Sequence, residues 1–481
     1  MMWGPNRQLA IGNWQLSADR PCTGPAGTAP GTILVLVLVI IALLSVAAVS
    51  QMMLVSSESA AASHAIRGQQ ARAAAMSGIA RAYWLLKTDP ANLEARYDNP
   101  TLFQAQPVVT AGEQWFFTVY ADNYDDPKNV RYGLEDEAGK INVNTATQEM
   151  LLAVMPGRTD LVACLMDYID RDSEIRPEGA EQDYYDQLPQ PYRIKNGPLA
   201  TIEELLLVKG FDATIVFGED ANCNGLLDPN ENDGDESFPP DDGDGQLNRG
   251  LRGLLTTFSY EPNVSSDGAK RVNILTADPA QVQRAAGINN LGNFITQARA
   301  QNKLNRALDA SQLLGMSLDV DDPKAPGRKT RIASGVTKDN LAAVLDKLTT
   351  GGTPMGRQEV LTGRVNINTA SMQVLACLPG LGEQAQQVVD LRKDMPPEQL
   401  ASQAWICSQN VVSEDVFKKL SPYITARSYQ FRLRSLGYSP SSGRFCIIEA
   451  VIDTAGGDMR LRYVRDLTRL GLPFVPTIVE R

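Results

Sequence analysis

Six positions between Asp220 and Glu231 carry the sharpest chemical signal in this chain of 481 residues. Asp220, Asn222 and Asn224 place side-chain oxygens at the first, third and fifth places of a twelve-residue stretch. Gly225 is sixth, Leu226 offers its backbone carbonyl at the seventh, Asp228 is an acid at the ninth and Glu231 closes at the twelfth. A hard cation that takes six to eight oxygens asks for this series: alternating oxygens, a glycine for the sharp turn, and a terminal Glu that can give both oxygens. Leu227 at the eighth place supplies the usual apolar anchor. The reading is a calcium loop, with Ca2+ as the expected cofactor. Between Glu219 and Asn248 there are ten acids and no Lys or Arg, and such a run repels itself unless a cation neutralises it. A disordered acidic loop is the alternative. Asp242-Gly243-Asp244-Gly245 is a second half-match that lacks a first-position oxygen and a terminal Glu.

Other chemistry is thin. Asp167, Asp170 and Asp172 lie close enough in sequence for acid–base work, but no histidine, nucleophile or Gly-rich phosphate loop accompanies them, so a solvated or cation-bridged turn is expected. His64 is the one histidine, which excludes a Ser-His-Asp or Cys-His site in the body. Cysteines 22, 164, 223, 377, 407 and 446 form no CxxC pair, so no zinc site is indicated. In an oxidising compartment Cys377 and Cys407 could be bridged, or both could be buried thiols. No catalytic residues emerge, and the chain is not read as an enzyme. A net charge of −11 disfavours a nucleic-acid partner.

The elements that must carry the loop begin with an apolar stretch from Gly31 to Val55, with no charge between Arg20 and Glu58. About 20 such residues cross a bilayer core as a helix. The stretch is too long for the core of a cleaved signal peptide, although Ala47–Ser50 passes as a weak cleavage site. A plain signal anchor is a second reading. A third has the helix continue: Ile66, Ala73, Met76, Ala80, Tyr83 and Lys87 recur at helical intervals, which predicts one amphipathic stripe on a rod of about 55 residues. Strands are expected at Gln114–Asp122 and its partner Val130–Asp136, then at Tyr429–Leu436, Arg444–Asp453 and Met459–Leu467, the last two joined by Thr454-Ala455-Gly456-Gly457. The fold class is α+β: an antiparallel sheet interrupted by a large helical insertion, behind a long N-terminal transmembrane and amphipathic helix.

The insertion repeats itself. Lys140-Ile141-Asn142-Val143-Asn144-Thr145-Ala146 recurs as Arg271-Val272-Asn273-Ile274-Leu275-Thr276-Ala277 and as Arg364-Val365-Asn366-Ile367-Asn368-Thr369-Ala370. Each copy is an extended run ending in Thr or Asn, a residue type that can cap the helix that follows. After the first and third copies a helix ends at Pro156-Gly157 and Pro379-Gly380. This looks like a helix-hairpin-helix or SAM-like unit.

Gly31, a bare apolar helix and an amphipathic continuation resemble the N-terminus of type IV pilins and pseudopilins. Asp167–Asp172, Glu178–Tyr185, Tyr192–Pro198 and Thr201–Gly210, following Gly139–Ala146, are similar to the K-type minor pseudopilins of type II secretion. Leu36 stands where most of the wider family has a Glu at the fifth mature residue, a habit of the K-type, and the basic cluster before Gly31 is thin. The resemblance implies a pilin-like sheet, a cut by prepilin peptidase between Gly31 and Thr32, and calcium binding. It also implies an inner-membrane, single-pass chain with its body in the periplasm, assembled with other minor and major pseudopilins at the tip of a short pseudopilus that supports protein export. The expected organisation is a leader over 1–31, a transmembrane and stem helix over 32–88, and sheet over 105–139. The insertion follows over 140–425 with its calcium loop at 219–248, and sheet returns over 428–481. The rival is a membrane-anchored DNA-binding subunit of an uptake pilus using the Leu378–Gly382 hairpin. Residues 364–394 balance Arg364, Arg392 and Lys393 against Glu383, Asp390 and Asp394, and a neutral hairpin binds phosphates poorly.

Overall fold

The computed structural model describes residues 30–476 apart from 90–91, 109–111, 125, 235, 322–327, 357 and 457–459. The leader expected over 1–31 falls outside the described residues up to position 29, as do Cys22 and part of the Thr454–Gly457 turn. The chain divides into two units, residues 1–66 and 67–481. A single helix, α1, runs over Pro30–Thr88. From Ile33 to Arg67 it contains no Gly or Pro, so nothing interrupts the backbone ladder. Within the first unit its apolar side chains are exposed, Leu36 at 60% and Leu43 at 65%. By length and composition the helix can cross a membrane.

The second unit is built on an antiparallel sheet. Its strands are β1 (Gln106–Val108), β2 (Trp115–Tyr120), β3 (Glu135–Asp136), β4 (Gln430–Ser439), β5 (Arg444–Asp453) and β6 (Arg460–Asp466). The order is β1-β2-β4-β5-β6, with β3 pairing β4 beyond the end of β2. The expected pairing of Gln114–Asp122 with Val130–Asp136 shrinks to one bridge, Ala121 with Arg131. β2 instead pairs with β1 and with the late strand β4, which places its apolar residues inside the sheet, next to a ten-residue strand.

Residues 71–86 of α1 cover one face of this sheet. Ala71, Ala74, Ala75, Ile79, Ala82, Leu85 and Leu86 are buried against Phe117, Val119, Leu433, Ile448 and Ala450. The expected stripe is the opposite one: Ile66, Met76 and Tyr83 are exposed, as are Ala73, Ala80 and Lys87. Close approach is the reason. A Cβ on Gly78 would lie 2.1 Å from Ser435 Oγ, and one on Gly437 would lie 2.2 Å from the carbonyl oxygen of Ala71. The sheet takes the face with the smallest side chains, and Ser435 Oγ donates to the carbonyl of Ala75 at 2.7 Å.

The insertion has its own core, in which Leu165, Phe294, Ile367 and Phe417 are fully buried. The three repeats fold alike. Each copy gives a two-residue strand, Ile141–Asn142, Val272–Asn273 or Val365–Asn366, that pairs in parallel with a later one, Leu255–Thr256, Leu348–Thr349 or Ile424–Thr425. The next residue of each copy donates its amide to the threonine carbonyl of that partner, at 2.9, 2.8 and 3.1 Å. The Thr and Asn at the end of the motif do not cap the following helix. The cap is the residue after the motif, Thr147, Asp278 or Ser371, because the Asn two places into each strand folds the intervening turn by accepting the amide two residues on. The basic residue heading each copy pairs with a buried carboxylate: Lys140 with Glu135 at 2.9 Å, and Arg271 and Arg364 both with Glu261 at 3.3 Å. Cys377 and Cys407 are free thiols, so of the two readings the bridge is not made.

Candidate metal centre

The loop after the short helix Ala213–Phe217 links the expected ligands by hydrogen bonds, although among the described residues the carboxylates of Asp220, Asp228 and Glu231 do not converge within 4.8 Å of one another. Gly225 donates its amide to the Asp220 carboxylate, 3.3 Å from Oδ1 and 3.2 Å from Oδ2. Asn222 Oδ1 accepts the amide of Asn224 at 3.0 Å, and Asn224 Oδ1 accepts that of Leu226 at 2.7 Å. Successive side-chain turns of this kind curl the backbone of the loop. Asp228 Oδ2 accepts the side-chain amides of both Asn222 and Asn224 at 2.8 Å. Asp228 and Glu231 then close a capping box on the turn Pro229–Glu231, the Asp228 amide donating to Glu231 Oε2 at 3.1 Å.

Two features suit a cation. Glu231 is buried at 1% exposure, and its Oε1 has no hydrogen-bond partner. Burial, reinforced by Asp220 and Asp228, pushes its pKa up to about 7. Among the described residues no Lys or Arg pairs with Asp228 or Glu231. The donor set is all oxygen, which fits calcium and not a soft metal. In the second half-match, Asp242 and Asp244 each accept an amide two residues on, while Asp241 accepts from Asp233, Gly234 and Gly243.

Sequence reasoning missed what holds the loop against the sheet. Arg249 donates to the Gly225 carbonyl at 3.1 Å and Arg434 to the Asn224 carbonyl at 3.3 Å. Both guanidiniums also pair with Asp122, Arg434 at 2.5 Å and Arg249 at 3.5 Å. Arg252 lies 3.6 Å from Asp220 and 2.8 Å from Glu449, a fully buried carboxylate that also faces Arg432 and Arg434. Burial pushes the Glu449 carboxyl up, yet these three cations together hold it well below the usual range. The one hint in the sequence was Arg249, the first basic residue after the acidic run.

The hairpin of the DNA reading is differently engaged. Arg392 donates to the carbonyls of Ile367 and Ala370 at 2.8 and 2.7 Å, and Lys393 lies 3.8 Å from Asp390. Arg299 makes the same brace to Ile274 and Ala277 in the second repeat.

Residues 136–217 match the family model for type II secretion system protein K. Over that stretch the chain is similar to the K-type proteins of type II secretion. The match covers the first repeat and the stretch to Gly210 that carried the K-type resemblance, and it stops just short of Asp220. The proteins of that family are components of the type II secretion system. No curated protein matches the chain. Among solved structures it is similar to a chain of the GspK-GspI-GspJ complex from the enterotoxigenic Escherichia coli type 2 secretion system. Identity is 15% and the TM-score 0.41, over 83% of this chain and 96% of that one.

Proposed function

We propose that this chain is a K-type minor pseudopilin of type II secretion, cut by prepilin peptidase between Gly31 and Thr32 and assembled at the tip of a short periplasmic pseudopilus that supports export. Residues 32–55 hold it in the inner membrane before assembly, with the body in the periplasm. Other minor and major pseudopilins are its partners, as GspI and GspJ accompany GspK in the similar complex. The observation that carries the reading is α1, continuous from Pro30 to Thr88, uncharged until Glu58, and carrying Gly31-Thr32 in its first turn. The large insertion supports tip placement, since a subunit stacked above it would clash. Co-expression with a prepilin peptidase, followed by mass spectrometry, is expected to give a mature N-terminus at Thr32. An intact leader, or a start after Ser50, overturns the reading.

We further propose that Asp220, Asn222, Asn224, the Leu226 carbonyl, Asp228 and Glu231 hold a calcium ion, supported by the unpartnered Oε1 of Glu231. Bound there, the ion would supply charge and rigidity rather than chemistry. DNA binding is the rival, and salt-dependent retention of DNA by the full chain would revive it.

A further inference from the structure

After β6 the chain runs on past the loop that carries Asn222 and Asn224. Its first residues are fastened through the backbone. The Leu467 amide donates to the Ile447 carbonyl at 2.9 Å, and the Ile447 amide donates to Thr468 Oγ1 at 3.0 Å. The amides of Leu470 and Gly471 close the turn Thr468–Leu470 by donating to the carbonyls of Leu467 and Thr468. Gly471 has a φ of +100°, with nothing within 4 Å of an added Cβ, so the chain changes direction there at little cost and in open space.

Beyond Gly471 the attachment changes in kind. Among the described residues no hydrogen bond joins residues 472–476 to the rest of the chain. Packing holds them instead. Pro473 is buried, and the Phe474 ring meets Tyr120 edge-on with the centroids 5.2 Å apart. Tyr120 is itself 1% exposed. Residues 470–473 face Asn222, Cys223 and Asn224 across a cavity of about 10 Å³, room for about one water. Cys223 is 4% exposed. The next stretch of the loop is fastened by charge, through Arg434 on the Asn224 carbonyl and Arg249 on that of Gly225. The loop therefore has two fastenings, one ionic and one purely apolar.

We infer that residues 472–474 are a clamp, hinged at Gly471, that closes on Tyr120 and keeps residues 222–224 of the loop covered. The hinge lies at Gly471 because the residues before it are tied by backbone bonds and those after it by side chains alone. Opening gives up only the contacts of one short segment, far less than global unfolding requires. It uncovers Cys223 and releases Asn222 and Asn224 on that side. Where those two asparagines hold an ion, the clamp also sets how readily the ion exchanges. That consequence rests on the calcium reading; the clamp itself does not.

The test is alkylation of the full chain in detergent by iodoacetamide, with a chelator present and each modified cysteine followed by mass spectrometry. Phe474→Ala is expected to speed modification of Cys223 about tenfold or more, because the clamp loses its largest contact. A chain ending at Gly471 should show at least as large a rise. Cys164 and Cys407, buried in the core of the insertion, are expected to keep the parent rates. Val475→Ala, which alters a side chain that is 87% exposed, is expected to change none of the three. An unchanged Cys223 rate in Phe474→Ala and in the shortened chain overturns the clamp. So does an equal rise at Cys164 and Cys407, since the whole body would then have loosened. Should the shortened chain fail to fold, Phe474→Ala decides alone. Calcium is absent throughout, so failure of the calcium reading leaves this result standing.

Discussion

At the scale of single residues, Gly225 and Glu231 show how a short motif is fixed by its surroundings. Gly225 has a φ of +77°, and a Cβ there would lie 2.0 Å from Asp122 Oδ1. The turn that the cation motif asks for is also the place where the loop meets the sheet. The Glu231 carboxyl is buried with one oxygen unmet, so calcium held as proposed, by the folded state alone, should stabilise that state. At a hundred times the dissociation constant that gain is about 2.7 kcal/mol. Millimolar calcium is therefore expected to raise the thermal midpoint of the parent, chelation to reverse the rise, and Glu231→Gln to abolish most of it. An equal rise in Glu231→Gln would remove this loop from the calcium response. The candidate positions were legible because a cation motif is local, its spacing written in twelve consecutive residues. Arg249, Arg434 and Asp122 were not, since Arg434 reaches Asn224 from 210 positions away and no spacing rule spans that distance.

At the scale of elements, α1 teaches a different lesson. Its helical character was plain from the lack of Gly and Pro, but the periodicity of its larger side chains pointed to the wrong face. What decides the buried face is the distance of approach, and Ala71, Ala74, Ala75 and Gly78 allow the backbone nearer to β4 than Met76 or Tyr83 would. Gly437→Ala is expected to destabilise by about 1–3 kcal/mol through overpacking against the Ala71 carbonyl, read as a lower denaturation midpoint. Gly68→Ala, with nothing within 4 Å of the added Cβ, is the control and should stabilise by up to about 1 kcal/mol by helix propensity. Equal effects at the two sites would refute the close-approach account. The repeats were legible as units, though the parallel pairing of each with a distant Leu-Thr or Ile-Thr was not, because two-residue strands carry no pattern of their own.

At the scale of the whole body, the insertion is joined to the sheet through buried charge rather than through a shared apolar core. Arg252 of the insertion meets Glu449 of β5, and Arg432 of β4 meets Glu137 just before the first repeat. Buried ion pairs are costly to break one partner at a time. Glu449 has a depressed pKa, so its contribution is fully present above its ordinary value near 4.5 and is lost as pH falls below that toward its folded-state value. The midpoint of unfolding should drop with acidification below about pH 4.5. Glu449→Gln should lower stability at neutral pH and flatten that acid slope; an unchanged slope would shift the acid sensitivity to other carboxylates.

The pairing of β3 with β4 places Asp136 directly opposite Phe431. Everything from 137 to 429 therefore leaves and re-enters the sheet at two neighbouring rungs of one ladder, about 5 Å apart. To the sheet, that whole segment is a single closed loop. Closing a loop costs only logarithmically more as it lengthens, so the sheet places almost no limit on the size of what is hung there. A two-residue turn could bridge Asp136 to Phe431 in its place. The sheet and the helix packed on it can be inherited as a constant frame, while the cargo between those rungs is free to grow, shrink or be exchanged.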